Sequence, residues 1–399
     1  MNILVISHMY PNNYNENNGI FIHKQVKALK SSKEDVNIKV ISPIPYTPYI
    51  LTLLSKKYKG YYNIPKKAIW EGVEVFYPRV VWLPKNLNFR SSGEILYKGI
   101  KKITSKLYKE FKFDLIHAHV ALPDGYGAVM LNEHFNKPLL TTIHGQDMNY
   151  TVNLDENFKN KVVHVFEKSN KVIFVSNKLK REAENITGKK NNYAVIPNGI
   201  ELNDIVSKKS QSIYQEFHGK RYILVVGNLI KTKGIDYAIR AFSNIHNDYE
   251  DLNLVIIGRG IERESLEKLA FENGVADKVI FKGALPHNIV MEYMKNCYIF
   301  VLPSYKEGFG VVYIEAMAQG KLVIGCKGEG IEDVIEDFKD GILMEPRNLE
   351  DLTNKIKYVL ENDSIRKDIE RNAKIKVETK YTWTQSANSL YSEYLRLYQ

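Results

Sequence analysis

The chain has 399 residues, too many for one compact core and enough for two domains of ordinary size, and its 44% apolar and 26% charged composition is that of a globular protein rather than a disordered or fibrous one. Its two cysteines, Cys297 and Cys326, each in an apolar stretch, exclude a disulfide framework and a cysteine zinc site. Net charge is +10 and uneven: residues 1–200 carry 29 Lys and Arg against 16 Asp and Glu, the remainder 27 against 30, so attraction to something anionic is expected of the first half.

Short β-branched runs alternate with helical stretches, the pattern of parallel sheets covered by helices on both faces. No window reaches the roughly 18 apolar residues of a membrane span, and the opening MNILVISHMY has neither a basic n-region nor a cleavage site, so the cytoplasm is the expected compartment. Strands are predicted in the first half near 2–6, 36–41, 73–76, 114–118, 138–143, 171–175 and 193–196. Gly19 lies between the first strand and the helix after it, where a glycine lets loop backbone pack close to a diphosphate. The stretch 51–70 mixes Lys with Leu, Tyr and Trp, a composition suited either to an anionic bilayer surface or to a surface insertion with its apolar residues folded inward. His117 and His119 share one strand face and read as packing or cleft lining, with no third ligand nearby for a metal. His144-Gly145-Gln146-Asp147 follows the next strand, at the end where such sheets place ligand groups; the histidine there is either a sugar-hydroxyl partner or a satisfied loop residue.

The turn Pro197-Asn198-Gly199 closes a first domain, placed at 1–200; 201–220 reads as a polar linker, and 221–381 as a second domain. Its strands are predicted near 222–226, 253–257, 279–281, 299–302, 322–324 and 342–344. A helix over 382–399 carries Trp383, Leu390, Tyr394 and Leu397 at helical spacing, free to pack on either domain, including back on the first. After the first strand of this half comes Gly227-Asn228, then Lys233-Gly234, with Lys233 placed to neutralise a diphosphate and charge developing on a departing nucleotide. Gly258-Arg259-Gly260 has only part of a dinucleotide fingerprint and reads as loop geometry. The densest signal runs from Pro303 to Glu315: a buried strand, a loop with Gly308 and Gly310, and a helix opening near Val311 whose free N–H groups form an anion site. Glu307 in that loop and Glu315 in the helix are spaced to serve two parts of one ligand, or are a solvated loop residue and an ordinary first-turn acid.

Gly19, His144-Gly145-Gln146-Asp147, Pro197-Asn198-Gly199, Gly227 with Lys233-Gly234, and Glu307 to Glu315 together resemble the family 4 glycosyltransferases of GT-B fold, over essentially the whole chain and in the right order. The resemblance implies two Rossmann-like doubly wound domains facing a cleft. It also implies retaining transfer from a nucleotide-diphosphate sugar, with no cofactor beyond that donor and no obligatory metal. By position, Glu307, His144 and Lys233 would be catalytic. Glu315 would bind the donor ribose and Glu307 the sugar hydroxyls; Gly308, Phe309, Gly310 and Val311 would line sugar and phosphate. Gly227, Asn228 and Lys233 would meet the diphosphate, and Lys282, Gly283 and Ala284 the nucleobase, while Gly19, His119 and Asp147 would line the acceptor side. Members often have Arg where this chain has Asn228, leaving Lys233, Arg259 or a helix terminus to hold the diphosphate.

The opening is further similar to bacterial members that build cell-surface polysaccharide or teichuronic acid, which implies a glycan or lipid-linked acceptor and attachment to the inner face of the plasma membrane. Competing readings are a GT-B nucleotide-sugar epimerase, which needs no acceptor, and a non-catalytic two-domain sugar-binding protein, which predicts an export signal and does not account for the Glu307/Glu315 segment. Nucleic acid is not an expected partner, because charge alone points to it and no recognition module is present.

Overall fold

A computed structural model describes residues 1–83, 87–206, 208 and 210–398. The chain divides into two units, Met1–Asn198 with Trp383–Gln399 and Gly199–Thr382.

The first unit is built on β1 (Asn2–Ile6), β2 (Asn37–Ile41), β3 (Ile44–Pro45), β4 (Lys67–Trp70), β5 (Val73–Phe76), β6 (Arg79–Val80), β7 (Leu115–His119), β8 (Leu139–Ile143), β9 (Lys171–Phe174) and β10 (Tyr193–Val195). Eight of them form one sheet in the order β10-β9-β8-β7-β1-β2-β5-β4, with β3 and β6 paired apart. All its pairings are parallel except β4 with β5. The central strands are near-continuous apolar runs, as burial on both faces requires. The chain runs from β1 outward through β2 to one edge and then crosses to β7 on the other side, so the strand order reverses between β1 and β7. The helix Ile20–Ser32 buries Ile22, Val26 and Leu29, and the terminal helix Trp383–Tyr398 adds Ala387, Leu390 and Tyr394 to the same core cluster. Gln25 bonds Ser386 at 2.9 Å across that helix pair. Of the segment 382–399, Gln399 lies outside the described residues.

The second unit is a parallel sheet of β11 (Arg221–Val226), β12 (Leu252–Ile257), β13 (Val279–Gly283), β14 (Ile299–Val301), β15 (Val323–Cys326) and β16 (Ile342–Met344), in the order β13-β12-β11-β14-β15-β16. Here the order reverses between β11 and β14. Residues 201–220 are not a linker: they belong to this unit, fold in part as the helix Gln211–Glu216, and bury Ile213 and Phe217, the latter ring 4.6 Å from Tyr222. The few apolar residues of that polar stretch hold it on the sheet; residues 207 and 209 lie outside the described residues.

Candidate active site

In the second unit the predicted residues gather at the carboxyl ends of β11 and β14, the reversal point where an open parallel sheet leaves a crevice for ligands. The loop after β14 is tied to the loop after β11: Tyr305 N–H donates to the Thr232 carbonyl at 3.0 Å, and Ser304, fully buried, bonds the same oxygen through Oγ. Gly234 is in the left-handed region at φ 64°, and a Cβ there would lie 2.2 Å from the Pro303 carbonyl oxygen, so the loops meet this closely only with glycine. Lys233 and Glu307 thereby form an ion pair, both largely buried. The Glu307 N–H donates to Glu329 at 2.7 Å, which fixes the loop from beneath.

Gly310, at φ 81°, is the N-cap of the helix Val311–Ala318 and makes no side-chain cap, which leaves the first N–H groups of that helix for an anion. Tyr313, fully buried, pins the helix by donating its hydroxyl to the Leu302 carbonyl at 2.7 Å. Phe309 is turned into the core at 3% exposure, so it supports the loop through packing. Glu315 bonds His287 Nε2 at 2.9 Å, a partner without a signal in the sequence. Gly227 bonds the Ile257 carbonyl, and Asn228 stands exposed beside it. Arg259 shares this rim through its carbonyl, which accepts the Leu229 N–H at 2.9 Å. Lys282 and Gly283 end the edge strand β13 and Ala284 follows them. The structure does not bring Lys282 to the Lys233–Glu307 pair: its ammonium is paired with Glu216 of the segment read as a linker.

In the first unit the strand ends carry a histidine-rich cluster. His119 Nδ1 lies 3.0 Å from His144 Nε2, and His144 packs on Phe21, ring centres 4.7 Å apart, beside Gly19 at the N-cap of the helix Ile20–Ser32. His117 bonds Tyr394 at 2.6 Å and Thr142 at 2.8 Å, which makes it a packing residue. Burial pulls His117 and His144 down to about 3 and holds His119 well below the ordinary range, so all three are neutral. Asp147 spends its carboxylate on the Ala121 and Leu122 N–H groups, at 3.0 and 3.3 Å, and burial raises it to about 6. It thereby braces the turn after β7. His8, directly after β1, pairs through Nδ1 with the fully buried Asp124 at 2.8 Å, and its backbone N–H donates to both oxygens of the same carboxylate. Burial presses the His8 ring down, but Asp124, by charge and hydrogen bond, more than offsets it and the net direction is upward. Neither residue was singled out by motif; their one sequence signal is that each follows the end of a central strand.

Among the described residues, no group of three or more His, Cys, Asp or Glu is arranged to hold a metal ion, and no helix is long and apolar enough to cross a membrane.

Residues 65–204 match the family described as Glycosyltransferase Family 4, and residues 206–376 match Glycosyl transferases group 1. An uncharacterized glycosyltransferase of Methanocaldococcus jannaschii is 30% identical over 346 residues, 84% of this chain and 87% of that one. The chain belongs to the family 4 glycosyltransferases. A Bacillus subtilis glycosyltransferase named for teichuronic acid biosynthesis is 25% identical to it over 99% of this chain and 98% of its own length. The N,N'-diacetylbacillosaminyl-diphospho-undecaprenol alpha-1,3-N-acetylgalactosaminyltransferase of Campylobacter jejuni is 26% identical over 94% of this chain and 93% of its own. Among solved structures, Anabaena HepE in complex with UDP aligns with TM-score 0.75 at 19% identity, covering 99% of this glycosyltransferase and 100% of HepE. The fold is GT-B.

Proposed function

We propose that this glycosyltransferase moves a sugar, with retention, from a nucleotide-diphosphate sugar to a hydroxyl of a glycan or lipid-linked acceptor in cell-surface polysaccharide synthesis. The observation that carries the reading is the Lys233–Glu307 pair at the reversal point of the second sheet, beside an uncapped helix N-terminus. Lys233 and the N–H groups of the helix Val311–Ala318 take the diphosphate, Glu307 takes sugar hydroxyls near the reacting carbon, and Glu315 takes the ribose. The chain's own residues supply position and electrostatic stabilisation of the leaving diphosphate, and no cofactor or obligatory metal is part of the proposal.

The Campylobacter relative, named for an undecaprenol-linked substrate, supports a lipid-linked acceptor, and the basic first half supports delivery of that acceptor at an anionic membrane surface. In the segment 51–70, Ile64 is buried and Tyr61, Ala68 and Trp70 pack on the core, while Leu53 and Leu54, at 69% and 74% exposure on the turn before the Lys-rich helix Lys56–Asn63, are apolar side chains offered to a surface. Calorimetric titration with nucleoside diphosphates tests the donor site. Wild type should bind at least one, and Glu315→Gln should weaken binding by about tenfold or more, since a hydrogen bond to a charged group contributes about 1.5–3 kcal/mol. Unchanged affinity in Glu315→Gln removes the ribose assignment, and no binding by wild type removes the donor reading.

A further inference from the structure

In the second unit the helix that carries Glu315 lies beside the helix His287–Asn296, which follows the edge strand β13, and the two are in register. His287 Nε2 meets Glu315 at 2.9 Å, and four residues on in each helix direction Met291 Sδ meets the Gln319 amide at 3.7 Å. A step of four is about one turn, so the same two faces stay opposed. Gln319, 1% exposed, also accepts the Val206 N–H at 2.9 Å and donates to the Asp204 carbonyl at 3.0 Å. That clamp fixes the backbone from which the Asp204 carboxylate reaches to 3.9 Å from His287 Nδ1, so the imidazole stands between two acids. The Glu315 side chain is the recessed member of its pair, at 19% exposure against 43% for His287.

We infer that His287 is a positioning residue, holding Glu315 in the rotamer that meets the ribose hydroxyls, so that the protein selects ribonucleotides over nucleotides lacking those hydroxyls. The inference rests on the reading of Glu315 as the ribose carboxylate and names what gives that carboxylate its aim. An ionised carboxylate only accepts, so the hydrogen of the 2.9 Å bond sits on His287 Nε2 and is given to Glu315 Oε1. Each carboxylate oxygen has two lone-pair sites, and this bond uses one of the four, so a vicinal diol is still accepted. A glutamate without the bond has its side-chain torsions free, and a ligand would have to order them on arrival. With the bond in place that cost is already met before the nucleotide binds.

Calorimetric titration of the full chain with UDP, ADP, GDP and CDP selects a nucleotide, and its 2′,3′-dideoxy form is titrated beside it. Wild type should favour the ribose form by about tenfold or more, because that form alone brings Glu315 hydroxyls to bind. His287→Ala should cut the affinity of the ribose form by about fivefold or more and leave the dideoxy form within about twofold, so the preference collapses. His287→Gln, whose amide reaches the place of Nε2, should restore the preference to within about threefold of wild type, whereas His287→Asn, whose amide reaches only the place of Nδ1, should not. A preference that survives in His287→Ala, or that His287→Asn restores as well as His287→Gln, overturns the positioning role. Equal weakening of both forms in His287→Ala shows that the histidine supports the helix rather than the carboxylate, and overturns it too. Failure of the underlying reading looks different. Wild type that binds no nucleotide strikes the donor site, wild type that binds both forms alike strikes the ribose assignment, and the inference falls with either.

Discussion

Lowering the pH from 7 to 5 should destabilise the first unit well before the second, and the cause is the buried trio His117, His119 and His144. Each is held neutral in the folded chain, two of them down to about 3, whereas an unfolded histidine titrates near 6.5. A group whose folded pKa is depressed favours folding above its unfolded pKa, and that contribution is lost as pH falls from about 6.5 toward the folded value. Between pH 7 and pH 5 His117 and His144 therefore each withdraw about 2 kcal/mol, roughly 4 kcal/mol together, and His119 acts in the same direction. Asp147 works the other way: raised to about 6, it binds a proton in the folded state first and returns about 1 kcal/mol over the same interval. His8 and Asp124, both raised, work with Asp147, while His23, lowered, works with the trio. For His117, His144 and Asp147 the net loss is about 3 kcal/mol, a large share of the about 5–15 kcal/mol that holds a domain folded.

The three tryptophans, Trp70, Trp82 and Trp383, all lie in the first unit, so their fluorescence during urea titration reports on that unit alone. The midpoint should fall at each step from pH 7 to 6 to 5 with an unchanged slope m, and a His119→Asn/His144→Asn variant should flatten that dependence by up to about 3 kcal/mol per pH unit at its acid end. Stability that holds or rises on acidification, or a variant that keeps the wild-type dependence, would refute the reasoning.

Glu307→Ala should keep the fold and lose about 10²–10³ in transfer rate, read by product analysis; near-normal turnover would exclude Glu307 from the reaction. Lys233→Ala should weaken nucleoside diphosphate binding and slow transfer together, and Asn228→Arg, at an exposed position on the loop after β11, should leave binding intact or tighten it; calorimetry separates these from a site held by Arg259 or backbone N–H groups. Wild type should pellet with anionic but not neutral vesicles at low salt, each lysine near the surface adding about 1 kcal/mol, and Lys56, Lys57 and Lys59 changed to Ser should abolish it; equal pelleting with both lipids would exclude electrostatic docking.

The sheets were legible because their central strands are apolar runs that burial on both faces demands, as in residues 2–6 and 253–257. Less visible was β4, where Lys67-Ala68-Ile69-Trp70 pairs antiparallel at the sheet edge with only intermediate or exposed side chains, inside a stretch whose composition resembled a membrane surface. The helix at 201–220 was hidden for a similar reason, since two buried side chains, Ile213 and Phe217, are too few to set up a period. In the second unit the site was read from local motifs, because the two loops that compose it each carry glycines and charge. His8 and Asp124 escaped that reading: they are 116 positions apart, and only the strand order that places β7 beside β1 makes them neighbours.

The Lys233–Glu307 pair bears on how the donor enters. Lys233, the cation proposed to hold a diphosphate, is paired with Glu307, the carboxylate proposed to hold the sugar, and both are largely buried. A diphosphate reaching Lys233 brings negative charge against Glu307, which in water-poor surroundings is costly unless the carboxylate swings away or finds hydroxyl donors of its own. On the proposed reading a nucleotide-sugar donor supplies them, because its sugar hydroxyls arrive with its phosphates. Free nucleoside diphosphate brings only the repulsive half of that exchange. With Asn228 adding no second cation, the intact nucleotide sugar should therefore bind more tightly than the nucleoside diphosphate released from it, and Glu307→Gln should remove that preference by relieving the repulsion. Paired titrations of wild type and variant with both ligands measure the difference directly; a wild-type preference for the free diphosphate would show that the ion pair does not gate the site.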